Sequence, residues 1–221
     1  MAPFRVCILS IFLIIGTYLA VKPNLPQIKY VAESELQMPL KVYTKDGYLI
    51  GEFGEIKRRA TSFDDIPKGI KNAFLSAEDD NFFNHQGISY AGLIRSFVRC
   101  IGPSGCQGGG GTITMQVVRG YLLTPEQTII RKIKEIFLAL ELEGKVEKEE
   151  IFELYVNRIF LGNRSYGIEA AANTYFNKNL SELSISESAT IAAISQLPSR
   201  INPVKNLRRT LQRRDWILSR M

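Results

Sequence analysis

Residues 78–87 read EDDNFFNHQG, and the stretch leading into them sets the helix around which the rest is arranged. Pro67 suits a first helical position, and Ile70, Phe74 and Glu78 follow at i, i+4 and i+8, on one face. A carboxylate on an apolar stripe is out of pattern. Partial burial there raises a carboxyl pKa toward neutrality and makes a usable proton acceptor, whereas a fully solvated carboxylate is a poor base. A charged helix end, with Asp79 and Asp80 turned to water, is the simpler account of this segment taken alone.

Beyond Pro67 the pattern is almost wholly helical. Ser89 can cap a helix carrying Leu93, Ile94, Phe97 and Val98, and Thr124, Pro125 and Gln127 form a start for a long helix whose expected buried stripe is Ile129, Ile133, Ile136, Phe137 and Leu140. Ile151, Leu154 and Tyr155 are spaced for a buried face, and Ala170, Ala171 and Ala172 allow close helix packing. These assign Tyr155 and Asn157 to structure, and Tyr166 and Gly167 to the shape of a loop. Ser184 with Glu187 is a capping box, and Pro198 closes the helix that follows. Upstream, VYTKDGYLIGEF (42–53) alternates around Asp46 and Gly47, a hairpin signal. No repeat and no alternation of strand with helix is present, so a doubly wound sheet is not expected.

The 221 residues, 45% of them hydrophobic, suffice for one buried core and are few for two domains. Val6 to Val21 is a nearly uninterrupted apolar run between Arg5 and Lys22. A spanning helix takes roughly 17–25 residues, so the run serves as an anchor if Phe4 is counted and Arg5 snorkels. Cleavage as a signal peptide would put Tyr18 where a small residue belongs before a cut after Ala20. The expected organisation is an anchor at 1–22, a proline-bearing linker at 23–39 and a folded domain at 40–221. Arg5 keeps the N-terminus inside and places the domain on the outer side of the cytoplasmic membrane.

The formal charge of +6, from 28 Lys and Arg against 22 Asp and Glu, suits a phosphate-bearing partner or an anionic membrane surface. Lys205, Arg208, Arg209, Arg213, Arg214 and Arg220 share a helix-like stretch with Leu207, Leu211, Ile217 and Leu218; a solvated face and a membrane contact both account for it. No nucleic-acid signature accompanies the charge, and nucleic acid is not an expected partner. The single histidine excludes a His-rich zinc site. Cys7 lies in the anchor, while Cys100 and Cys106 flank a short loop and could pair in an oxidising compartment. The glycines from Gly108 to Gly111 lack the GK[ST] of a P-loop and are expected to give a mobile loop, with Thr112, Thr114 and Gln116 offering hydroxyl and amide groups to sugar or phosphate oxygens. A helix-start cap is the other role open to Thr114. Arg131, Lys132 and Glu135 fall at i, i+1 and i+4 and can form an ion cluster on one helix face.

Five blocks occur in order: EDDNFFNHQG, GTITMQ (111–116), RKIKEIFLALELE (131–143), KEEIFELYVN (148–157) and GNRSYGIEAAANTYFNK (162–178). Together they resemble the five motifs of the family 51 glycosyltransferases, the peptidoglycan polymerases found alone or as the first catalytic domain of class A penicillin-binding proteins. The resemblance runs from about Leu40 to the C-terminus. It implies a mainly α, lysozyme-like helical domain with a small N-terminal β-hairpin behind a single transmembrane helix, in the bacterial cytoplasmic membrane. The implied activity is polymerisation of lipid II into β-1,4 glycan, with inversion and release of undecaprenyl diphosphate. Glu78 is implied as the base and Glu135 as the second acid, with Asp79, Phe82, His85, Thr112, Thr114, Gln116, Arg119, Arg131, Lys132 and Lys178 around the substrate. Implied partners are lipid II, the growing lipid-linked chain, the membrane and other cell-wall synthesis proteins. No cofactor is required; a divalent cation, Mg or Mn, could aid at the diphosphate through Glu135 or Asp79.

Three positions depart from the family pattern: Gly111 where serine is common, Gly120 where asparagine often follows the basic residue, and Ser89 where aspartate is frequent. They keep open a catalytically impaired scaffold or lipid II-binding protein. A lysozyme-like muramidase is a further alternative, for which the basic residues at Glu135 have little purpose. These residues hold no SxxK, S-x-N and KTG set, hence no transpeptidase site. The N-terminal part is closer to a bifunctional class A protein than to a short monofunctional enzyme, and LQRRDWILSRM (211–221) resembles a segment that normally runs on, so a truncated or split gene product is expected.

Overall fold

The computed structural model describes residues 16–28, 40–53, 61–94, 111–124, 126 and 128–221. Most of the apolar run, the three cysteines, Phe97, Val98, Gly108, Pro125 and Gln127 lie outside them. Among the described residues no helix is long and apolar enough to cross a membrane. Residues 16–21 are helical, and Tyr18 sets its ring 5.1 Å from that of Phe137. Leu25 and Ile28, in the segment read as a linker, already pack on the core, with Ile28 only 4% exposed.

Strands β1 (Leu40–Tyr43) and β2 (Leu49–Phe53) pair antiparallel, from Leu40↔Phe53 to Tyr43↔Leu49. Gly47 takes φ 85° in the turn between them, as the hairpin signal requires.

The remainder is helical. Helix α1 (Lys68–Glu78) starts one residue later than Pro67 was read, because Pro67 itself is the N-cap; Ile70, Ala73 and Phe74 are buried and Glu78 closes the stripe. Ser89 caps the helix beginning at residue 90, its hydroxyl accepting from the Gly92 amide at 3.2 Å. Helices α2 (Ile113–Leu122), α3 (Ile129–Glu143) and α4 (Lys148–Arg158) form one group, with α2 packed on the other two. Helices α5 (Ile168–Phe176), α6 (Ile185–Ile194) and α7 (Leu207–Leu218) follow, and α6, buried from Ser188 to Ile194, packs on α1, α5 and α7. The groups share one core, joined by aromatic edges: Phe74 against Tyr155 at 6.0 Å and Phe82 against Phe152 at 6.2 Å. Candidate site residues lie along this seam.

Two expectations need correction on α3. The helix starts at Ile129, capped by Thr128, whose hydroxyl accepts from the Arg131 amide at 3.1 Å, and not at Thr124 to Gln127. Its apolar stripe is not its buried face: Ile129 is 81% exposed and Leu140 39%, whereas Glu135, Leu138, Ala139 and Leu142 are fully covered. Helix α2 and the loop at Gly87 cover that side only. Periodicity shows that a face is apolar and cannot show what lies against it.

Gly87 is needed for this packing. Its φ is +77°, and a Cβ there would stand 2.7 Å from the carbonyl oxygen of Ala139. Gly87→Ala should therefore cost about 2 kcal/mol or more, read as a lower midpoint in denaturant.

The capping box of α6 forms as read: the Ser184 amide donates to Glu187 Oε2 at 2.8 Å and the Glu187 amide to Ser184 Oγ at 3.2 Å. Lys178 adds an ion pair at 2.7 Å. The Lys178 hydrogen bond, then that of the Ser184 amide, lowers the Glu187 carboxyl from its usual 4.5 to about 2. Because the folded value lies below the unfolded one, the contribution is full above about pH 4.5 and is lost as pH falls toward 2. Glu187→Gln should flatten that part of an acid-unfolding profile while leaving its neutral limb in shape.

Candidate active site

Helix α1 ends at Glu78 with its carboxylate half-buried at the seam. One oxygen accepts from Gln116 Nε2 of α2 at 2.9 Å, and the other from the Ser195 hydroxyl at the end of α6. Ser195 is also placed to donate to the Ala192 carbonyl at 2.7 Å. Both groups of helices therefore hold the same carboxylate, and each oxygen keeps acceptor capacity beyond its protein contact. The Tyr155 hydroxyl is buried beside it without a hydrogen-bond partner. Burial, and next the negative charge of Glu78, pushes the Tyr155 phenol well above its usual value, while Arg119 opposes the rise and Asp79 adds to it.

Asp79 acts as a strut. Its Oδ2 accepts from the Ile113 amide, in the first turn of α2, at 3.1 Å and pairs with His85 Nε2 at 2.9 Å. Thr112 caps α2 by accepting from the Met115 amide at 3.2 Å, and its hydroxyl donates to the Gly87 carbonyl at 2.6 Å. The run EDDNFFNHQG is thereby pinned to GTITMQ at three points: Glu78, Asp79 and Gly87. Phe82 lies in the core, 1% exposed, with Lys148 Nζ 4.4 Å from its ring centre.

The third block forms the second acidic centre. Glu135 is fully buried, with Lys132 Nζ at 3.0 Å on one oxygen and Arg131 Nε at 3.4 Å on the other. The Arg131 contact is one of charge without hydrogen-bond alignment, leaving that oxygen and Nε both without a bonded partner. Lys132, about a third exposed, is the member open to solvent. A Cβ on Gly111 would lie 3.6 Å from Lys132 Nζ, an ordinary contact, so the position accommodates a serine beside the ammonium. At Gly120 a Cβ would meet Arg158 Nε at 3.2 Å.

The structure thus brings Gln116 to Glu78 at the seam and Lys132 and Arg131 to Glu135 on α3, with Asp79, His85 and Thr112 as struts between segments and Arg119 in the last turn of α2. Thr114 is not the cap of α2 and faces inward, donating to Glu143, which also takes Lys148 Nζ at 2.7 Å. Lys178 is bound to Glu187 near the start of α6, eight residues before Ser195, or about 12 Å of helix. Among the described residues no three metal-ligating side chains converge. Glu135 is already matched by two cations, and Asp79 by His85 and a backbone amide, so neither fits a resident divalent cation. Sequence reasoning missed Ser195, 117 residues from Glu78, and the placement of Arg213, whose guanidinium donates to the Ala77 carbonyl at 3.1 Å; no local pattern links such partners. Tyr155 was legible as a buried residue, but not as a neighbour of Glu78.

A family model described as Transglycosylase matches residues 46–221. Penicillin-binding protein 1A of Pseudomonas aeruginosa is 50% identical over 206 residues, 93% of this chain and 25% of that protein. Its namesake in Escherichia coli is 40% identical over 208 residues, 94% of this chain and 24% of that protein. A crystal structure of penicillin-binding protein 1A from Haemophilus influenzae aligns over 85% of this chain and 18% of that one, at 33% identity and a TM-score of 0.45. The chain spans about a quarter of the length of the curated relatives it matches. With Glu78 and Glu135 both inside the matched span, the chain belongs to the transglycosylase family.

Proposed function

We propose that this chain is a peptidoglycan glycosyltransferase with a lysozyme-like helical fold, polymerising lipid II into β-1,4-linked glycan. The observation that carries the reading is the half-open Glu78 carboxylate, aimed by donors from two helix groups, in a family of transglycosylases. Glu78 takes the proton of the acceptor 4-hydroxyl, and the oxygen attacks C1 of the lipid-linked donor. The bond from C1 to the diphosphate oxygen breaks on the opposite face, so the centre inverts without a covalent enzyme intermediate. In this reading Lys132 and Arg131, both paired with Glu135, supply the positive charge that offsets that of the departing diphosphate. No step here uses a divalent cation.

The membrane is part of the same proposal. Ile129, Ile130 and Leu140 leave α3 apolar on the side away from Glu135, and Tyr18 meets α3 at Phe137. This suits a domain resting on the outer face of the bacterial cytoplasmic membrane, where lipid-linked substrates and other cell-wall synthesis proteins are met. Incubation with labelled lipid II in detergent should yield polymer that muramidase digests. Bound lipid II without polymer would favour the scaffold, and soluble muropeptides released from murein would favour a hydrolase.

A further inference from the structure

The C-terminal helix touches the turn that carries Glu78 through two arginines that share one aromatic ring. Arg213 donates to the Ala77 carbonyl at 3.1 Å, on one side of Glu78, and Arg220 pairs with Asp80 on the other. Both guanidiniums lie against Trp216, Arg213 at 4.0 Å and Arg220 at 4.6 Å from the ring centre. Arg213 and Trp216 stand one turn apart on α7, and Arg220 follows in the turn just past its end at Leu218. Two like charges gathered at one ring repel, and an indole face is the strongest neutral side-chain surface for drawing cations in. Arg213 Nε is buried with no hydrogen-bond partner among the described residues, so the guanidinium is oriented by the ring contact, the bond to Ala77 and the negative charge of Glu78.

We propose that Trp216 is a positioning residue for glycosyl transfer: its indole fixes Arg213 and Arg220 against residues 77 and 80 and so holds the turn that aims Glu78. The inference rests on the polymerase reading for its effect on turnover, and on contacts alone for its effect on the turn. Loss of the ring face leaves Glu78 with Gln116 and Ser195 but releases the backbone on either side of it. A ring of another kind keeps the latch.

The test compares the full chain with Trp216→Leu and Trp216→Phe, measuring lipid II polymerisation, thermal midpoint, and hydrogen exchange of peptides covering residues 75–81. Trp216→Leu should lower kcat about tenfold with KM within about twofold, while Trp216→Phe stays within about threefold of the parent. Exchange across residues 75–81 should quicken in the leucine variant only. Equal losses of turnover and midpoint in both variants would reduce Trp216 to ordinary packing and overturn the proposal, as would a leucine variant with the parent's turnover and exchange. If the parent makes no polymer, the polymerase reading fails by itself; exchange then decides the latch, which stands if the leucine variant quickens and falls if it does not.

Discussion

Glu78→Gln should abolish polymer formation, lowering the rate on labelled lipid II by about 10³-fold, within the range that a positioned general base contributes. That factor corresponds to about 4 kcal/mol of lost transition-state stabilisation. The substitution keeps the hydrogen bonds of this side chain, which can all be remade, and removes its charge. The new amide oxygen accepts from Gln116, and its NH2 donates to Ser195 Oγ, whose own hydroxyl is already placed to donate to the Ala192 carbonyl. No buried donor or acceptor is orphaned, so the thermal midpoint should stay close to the parent's. What disappears is the ability to accept a proton from the acceptor hydroxyl. Polymer made at within threefold of the parental rate would remove Glu78 as the base.

The contrast between what was and was not legible in the sequence follows from the range of each interaction. The stripe of Ile70, Phe74 and Glu78, the hairpin around Gly47, the Ser89 cap and the Ser184 box are all decided within a few residues, and all form. The Arg131, Lys132 and Glu135 cluster was readable for the same reason. Helix α3 shows the limit: the side with more isoleucine is outside, because Ala139 permits the Gly87 loop to close on the other side. Small residues set the close approach, and the larger apolar ones are left for another surface. Thr114 was read as an open ligand or a cap, but its hydroxyl is committed to Glu143 from a different helix. The partners of Glu78 come from α2 and from the end of α6, so the setting of its carboxylate is a product of tertiary packing although its helix is not.

The same packing gives the two acids different mutational signatures in stability. Glu135→Gln should lower both stability and turnover, since Glu135 is fully buried and matched by Lys132 at 3.0 Å and Arg131 at 3.4 Å. Neutralising it leaves two cations facing each other across a covered amide. Removing one partner of a buried charge cluster costs roughly 3–5 kcal/mol, and the partial exposure of Lys132 argues for the lower end, about 3 kcal/mol. For a domain of this size that is a fall of roughly 6–12 °C in thermal midpoint. Turnover should fall about 100-fold as Lys132 and Arg131 lose the orientation that directs them at a leaving diphosphate. The two cations should then take up an external anion. Inorganic pyrophosphate should raise the midpoint of the variant by more than that of the parent, because it binds the folded state where the carboxylate was. A variant as stable as the parent, with pyrophosphate shifting both midpoints equally, would show that Lys132 and Arg131 do not depend on Glu135. The diphosphate would then have to be held elsewhere.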